Sequence, residues 1–243
     1  MDEIINTFYE CKKIGWIKNV GHGYSSVGRT FEAMLGIKEN SNPEADLNGI
    51  EIKTKTSKIH SSITLFSCSP FNYLDLETFR ITLGKDDKNL KNSKVLFLSV
   101  SNSKNMIVNN QYYLQIEIDE SFGVVSINVY RIEDNKLLVN VFWIFEQLDQ
   151  RIKEKCQNLV FISADKLTKN GNIYFKYKNL SYYKLKSTET FYNLIKQGVI
   201  SIVFNIGVYK SGVNIGKPYI HGINFSILEK NLELLYNKIF EIK

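Results

Sequence analysis

The stretch Ile50-Glu51-Ile52-Lys53-Thr54-Lys55 constrains this chain more than any other. Its apolar and polar residues alternate with the period of two that marks a half-buried strand. Ile50, Ile52 and Thr54 are expected on one face, and Glu51, Lys53 and Lys55 on the other. An acid and a lysine therefore leave the same face side by side. Asp46 lies a few residues earlier, ahead of Asn48-Gly49, a dipeptide that favours a tight turn and can bring a second carboxylate alongside. Two converging carboxylates make a hard oxygen site suited to a divalent cation such as magnesium. A neighbouring ammonium can orient or deprotonate a water and neutralise charge building up on a phosphate. A turn acid followed by a solvated strand face produces the same spacing, so the pattern by itself leaves both readings open.

At 243 residues the chain is long enough for one large domain or one domain with a lobe, and 44% hydrophobic residues supply a full core. Lys+Arg 31 against Asp+Glu 25 gives a net charge of +6, which fits a polyanionic partner without requiring one. Cys11, Cys68 and Cys156 are far apart and form no C-x-x-C pair, so they are expected to be reduced core thiols of a cytoplasmic protein. His22, His60 and His221 are too scattered for a zinc site. No apolar run approaches the length of a membrane span, and the acidic start Met1-Asp2-Glu3 does not read as a signal peptide.

In chain order, residues 2–14 read as a helix with Asp2 as its cap and Gly15 as its stop. Residues 21–29 form a glycine-rich, partly basic loop that lacks the G-K-[ST] ending of a P-loop. It is either a phosphate contact or a flexible approach to a short helix over 30–35, which carries Glu32. Residues 61–67 read as a strand paired antiparallel with the central one through a loop at 57–60. Strands follow at 95–100, 112–118, 124–132 and 137–143, then a charged helix at about 144–157 with a solvated face and a buried strand at 159–163. Residues 173–186 interleave tyrosines with lysines, as a nucleic-acid groove or a tyrosine-packed hairpin would. A capped helix at 188–197, strands at 200–209 and 221–227, and a closing helix at 228–239 complete the chain. The order predicts an α/β or α+β protein with a mixed sheet, flanking helices and two lobes forming a cleft.

Several of these stretches together resemble one family. The run Gly28-Arg29-Thr30-Phe31-Glu32-Ala33-Met34-Leu35-Gly36-Ile37, the loop Glu39-Asn40-Ser41-Asn42-Pro43, the motif from Asp46 to Lys55, and Ser62-Ile63-Thr64-Leu65-Phe66-Ser67 look like the catalytic lobe of MvaI/BcnI-type restriction endonucleases. These enzymes are related to the mismatch-repair nicking endonuclease MutH. The segment from Gly207 to Ile227, with Leu234-Leu235-Tyr236, looks like the family's DNA-reading part, while residues 85–185 match loosely.

The resemblance implies a PD-(D/E)xK nuclease core and a Mg2+-dependent type II endonuclease acting on double-stranded DNA, giving 5′-phosphate ends. By position, Asp46 and Glu51 would bind the metal, Lys53 would position the attacking water, and Glu32 would be an auxiliary acid. His221, Lys210, Lys217, Arg29, His22 and Lys55 are the candidate DNA contacts. A catalytic lobe over about 1–110, with part of the C-terminal half, and a recognition lobe mainly over 160–227 are expected within one domain. The resemblance also implies a monomer and a cognate DNA methyltransferase as genetic partner. The family's His-Asp pair before the conserved-type histidine and its arginine after it are absent around His221, so a CC(N)GG-type target is not carried over. A strand-nicking endonuclease and a non-catalytic basic DNA-binding module are the alternatives.

Overall fold

The computed structural model describes residues 1–21, 23, 25–37, 47, 49–56, 62–102 and 106–243. The expected metal ligand Asp46 and the expected DNA contact His22 lie outside the described residues, as does the expected loop at 57–60.

In chain order the elements begin with α1 (Asp2–Ile14), β1 (Ile17–Lys18), α2 (Ser26–Met34), β2 (Glu51–Thr56), β3 (Ser62–Ser67), α3 (Asp75–Leu83) and β4 (Lys85–Asp86). β5 (Lys94–Val100), β6 (Met106–Val108), β7 (Tyr112–Asp119), β8 (Val124–Arg131), β9 (Leu137–Ile144) and α4 (Phe145–Lys155) follow. The remainder is β10 (Asn158–Lys169), β11 (Asn172–Leu185), α5 (Thr188–Lys196), β12 (Ile200–Val208), β13 (Pro218–Leu228), α6 (Leu232–Leu235) and β14 (Tyr236–Ile242). The architecture is mixed α+β, as expected. It divides into two compact units: Met1–Ser61 with Glu154–Lys186 and Tyr236–Lys243, and Ser62–Lys153 with Ser187–Leu235.

The first unit is built on a five-stranded sheet of order β1-β11-β10-β2, with β14 pairing the far end of β11. β10 is one of its two interior strands, between β11 and β2. Leu159, Val160, Phe161 and Ile162 are all buried, a continuous apolar run of the kind a strand covered on both faces needs. β2 lies parallel to β10 in the register Leu159↔Glu51, Phe161↔Lys53. One face of β2 carries Ile50 and Ile52 into a core with Phe31 and Val27 of α2, Ile4 and Phe8 of α1, and Phe175 and Tyr177 of β11. Each such buried aliphatic side chain contributes roughly 1.5–3 kcal/mol, so the alternation of β2 fixes which face looks away from the core.

The second unit holds a sheet of order β3-β13-β12-β5-β4 and a meander β6-β7-β8-β9. Its core is aromatic: Trp143 meets Phe225 edge-on at 5.5 Å, and Phe66 stacks on both Phe225 and Phe191. Such pairs add about 0.5–1.5 kcal/mol each beyond the area they bury.

Four expectations are corrected. β2 and β3 do not form a hairpin: β2 pairs with β10 in one sheet, and β3 pairs with β13 in another. Long-range pairing to buried strands outweighs the local turn. The C-terminal helix is a single short turn, and from Tyr236 the chain becomes β14, which pairs antiparallel with the edge of β11 and packs Phe240 against Tyr182. α2 begins at Ser26, so Gly28 and Arg29 are helical and do not belong to a loop. Asp2 makes no capping hydrogen bond; Met1 occupies the N-cap of α1. Cys11, Cys68 and Cys156 are free and buried, as expected.

Candidate active site

The register of β2 against β10 decides the site. Glu51 and Lys53 leave the same face, opposite Leu159 and Phe161 of the neighbouring strand. Those apolar neighbours exclude water, and Glu51 is only 4% exposed. A carboxylate buried this deeply needs charged partners to remain tolerable. Lys53 is the first: its Nζ donates to Glu51 Oε1.

The second is Lys155, which the sequence reading left on a solvated helix face. Its Nζ donates to Glu51 Oε2 at 3.0 Å, and its side chain is 17% exposed. Local chain geometry explains the contact. Lys155 is the last residue of α4, and only Cys156 and Gln157 separate it from β10. Because β10 runs parallel to β2 and pairs Leu159 with Glu51, the end of α4 falls at the start of β2. A lysine in the last helical turn also meets the favourable, negative end of the helix dipole.

Beneath this trio lies a neutral layer. Cys156 is fully buried, and its thiol is pushed up to about 12, chiefly by burial; a hydrogen bond from Tyr236 partly opposes this, and the Glu51 charge adds to it. The Tyr236 hydroxyl is held far above its ordinary value by burial first, then by Cys156 and Glu51. Both groups therefore stay protonated and serve as packing and hydrogen-bonding support. Asn158 adds a bond from its side-chain nitrogen to the Gly49 carbonyl at 3.3 Å, tying the turn before β2 to β10.

Glu32 sits half-buried on α2. A Cβ placed on Gly28 would lie 3.0 Å from Thr54 Oγ1 and 3.5 Å from Glu32 Oε1, so glycine is what lets α2 approach β2 at this point. The Glu32 charge is also felt by the buried Tyr177 hydroxyl, whose pKa is raised mainly by burial. Arg29 and Lys55 are half-buried on α2 and β2. Among the described residues there is no cluster of three His, Cys, Asp or Glu side chains able to hold a metal. The donor chemistry nevertheless fits a hard divalent cation: Glu51 presents two oxygens, each facing a cationic group that is itself partly open to solvent.

The remaining candidates lie in the second unit. His221 stands in a β-bulge of the β12–β13 pair, where Asn205 pairs with Gly222 and Ile206 with Ile220, leaving His221 without a cross-strand partner in the register. Gly222 has φ 139, a conformation that side chains rarely adopt. Bulges of this kind re-aim a side chain out of the ladder. The exposed imidazole meets the Tyr219 ring edge-on at 4.3 Å. Together with Phe97, Tyr209, Lys210 and Asp87 it lines an open cavity of about 450 Å³. Lys210 is ion-paired with Asp87, which holds that carboxyl below its ordinary range. Lys217 Nζ donates to Asn214 Oδ1 at 3.2 Å. On β11, Phe175, Tyr177 and Tyr183 face inward while Lys178 and Lys184 are exposed, as a tyrosine-packed hairpin requires. Among the described residues, no helix is long and apolar enough to cross a membrane.

The family model of the MvaI/BcnI restriction endonuclease family matches residues 5–236. A solved structure described as a restriction endonuclease MvaI-cognate DNA substrate complex is similar at 28% identity and a TM-score of 0.85, covering 96% of this chain and 94% of that one. A second, restriction endonuclease MvaI in the absence of DNA, is similar at 28% identity and a TM-score of 0.60, covering 100% of this chain and 99% of that one. No curated protein matches. The chain belongs to the MvaI/BcnI restriction endonuclease family.

Proposed function

We propose that this protein is a type II, site-specific endonuclease that hydrolyses phosphodiester bonds in double-stranded DNA with Mg2+ as cofactor. The observation that carries the reading is the pairing of Glu51 with Lys53 on one face of β2, within a chain of this family. Catalysis is assigned to the first unit and base reading to the second.

Glu51 and Asp46 would hold the cation, with Glu32 as an auxiliary acid. When bound, the cation supplies positive charge to the scissile phosphate and lowers the pKa of a water. Lys53 orients that water for in-line attack and donates to the phosphate oxygens as negative charge gathers on them. Leu159 and Phe161, opposite Glu51 and Lys53, exclude bulk water and so strengthen these electrostatic contacts. Attack at phosphorus breaks the bond to the 3′ oxygen, leaving 5′-phosphate and 3′-hydroxyl ends. His221, Lys210, Lys217, Arg29, His22 and Lys55 are proposed DNA contacts, with His221 reading a base edge from its bulge and the basic residues on phosphates.

A plasmid assay tests the reading. Supercoiled plasmid should pass to the linear form, and the ends should accept ligation without added phosphate. Accumulation of open circle as the final product would instead establish the strand-nicking alternative. Binding without cleavage on many DNAs would establish the non-catalytic one.

A further inference from the structure

We propose that Lys155 is a positioning residue for the catalytic carboxylate, holding Glu51 Oε2 turned into the site and yielding that oxygen to the divalent cation. The inference rests on the metal-site reading above and goes beyond it, because it gives a role to a lysine outside the stretch from Asp46 to Lys53.

The geometry carries it in three steps. First, the two Glu51 oxygens are divided between two ammonium groups, Lys53 on Oε1 and Lys155 on Oε2. Second, the two lysines are tethered differently. Lys53 is two positions along the same strand and shares Glu51's face, so its stem leaves the backbone beside the carboxylate. Lys155 reaches in from the end of α4 on a flexible four-carbon stem, and can withdraw while the strand stays still. Third, a cation that takes Glu51 through Oε2 claims the oxygen that Lys155 holds. An ammonium and a dication in contact repel strongly around a carboxylate this buried. Lys155 therefore keeps the buried carboxylate neutralised and correctly turned, and leaves Oε2 as the cation arrives. Its ammonium then lies at the rim of the site, where the substrate is a polyanion.

Calcium alone, titrated into the full-length protein by calorimetry, is the probe. Lys155→Met, which keeps the stem and removes the charge, should bind calcium at least about tenfold more tightly than the wild type, because one cationic competitor is gone. Lys155→Arg should stay within about threefold of the wild type, since the charge is retained. A Lys155→Met protein with lowered thermal stability but unchanged or weakened calcium affinity would overturn the proposal and leave Lys155 a purely structural partner. Uptake of calcium by neither protein would overturn it as well. If Lys155→Met does not fold, Lys155→Gln serves, since its amide can still donate to Oε2, and the same tightening is expected. Glu51→Gln separates the two levels: calcium binding that survives it places the cation elsewhere and removes the site reading itself.

Discussion

Lys155 Nζ and Glu51 Oε2 are 3.0 Å apart across 104 positions of sequence, and the parallel pairing of β10 with β2 brings them together. Glu51 is thereby held between two lysines, one from its own strand and one from the helix that feeds the neighbouring strand.

That arrangement predicts a stability effect separate from catalysis. Glu51→Gln leaves Lys53 and Lys155 facing each other in a site with little water. Breaking a buried pair costs about 3–5 kcal/mol, and the partial exposure of both lysines reduces this to about 1–3 kcal/mol. Urea denaturation of the variant should show a lower midpoint with an unchanged slope. A midpoint equal to the wild type would mean that the trio contributes nothing to folding.

His221 should govern sequence discrimination more than stability. It is exposed and lies outside the ladder register, so His221→Ala should fold normally. Losing one base-edge contact costs about 1–3 kcal/mol of discrimination, which is about 5- to 150-fold in relative cleavage of preferred over altered sites. Competition between the preferred duplex and single-base variants measures the ratio. An unchanged ratio would assign base reading to other residues.

Three buried cysteines make the fold less stable at alkaline pH. Burial raises the thiols of Cys11 and Cys68 to about 11 and that of Cys156 to about 12, against 9.0 for the unperturbed group. A raised folded-state pKa means that the folded protein retains protons which the unfolded chain releases. The contribution of each is therefore complete below pH 9 and is lost as pH climbs towards 11 or 12, by about 1.4 kcal/mol per pH unit per cysteine. Unfolding free energies at pH 8, 9 and 10 should fall slightly over the first interval and about three times as far over the second. Iodoacetamide should leave all three thiols unlabelled in the native protein at pH 8, because only the thiolate reacts.

The alternation of Ile50 to Lys55 was enough to place Glu51 and Lys53 on one face, because a period of two fixes sides whatever the strand pairs with. The partner was not legible. Nothing local separates a hairpin with β3 from a parallel pairing with β10, and the choice is made by the apolar run Leu159–Ile162, far away in sequence. Lys155 was missed for the same reason. On a charged helix its side chain reads as solvated, and only the short link to β10 and the register turn it towards Glu51. The bulge at His221 depends on an irregularity in pairing that composition does not encode. The turn from α6 into β14 shows edge pairing overriding an apolar pattern that also fits a helix.

The central claim is that Glu51 and Lys53 form the cleaving site of a site-specific endonuclease. Digestion of a long unmethylated DNA with and without magnesium, beside the Lys53→Ala protein, tests it most directly. Discrete fragments should form only with magnesium and disappear on chelation. Lys53→Ala should cut at least about 10²–10³-fold more slowly, the scale expected for losing one transition-state donor, while still retaining the DNA in a gel-shift assay. Fragments formed by Lys53→Ala at the wild-type rate would contradict the assignment.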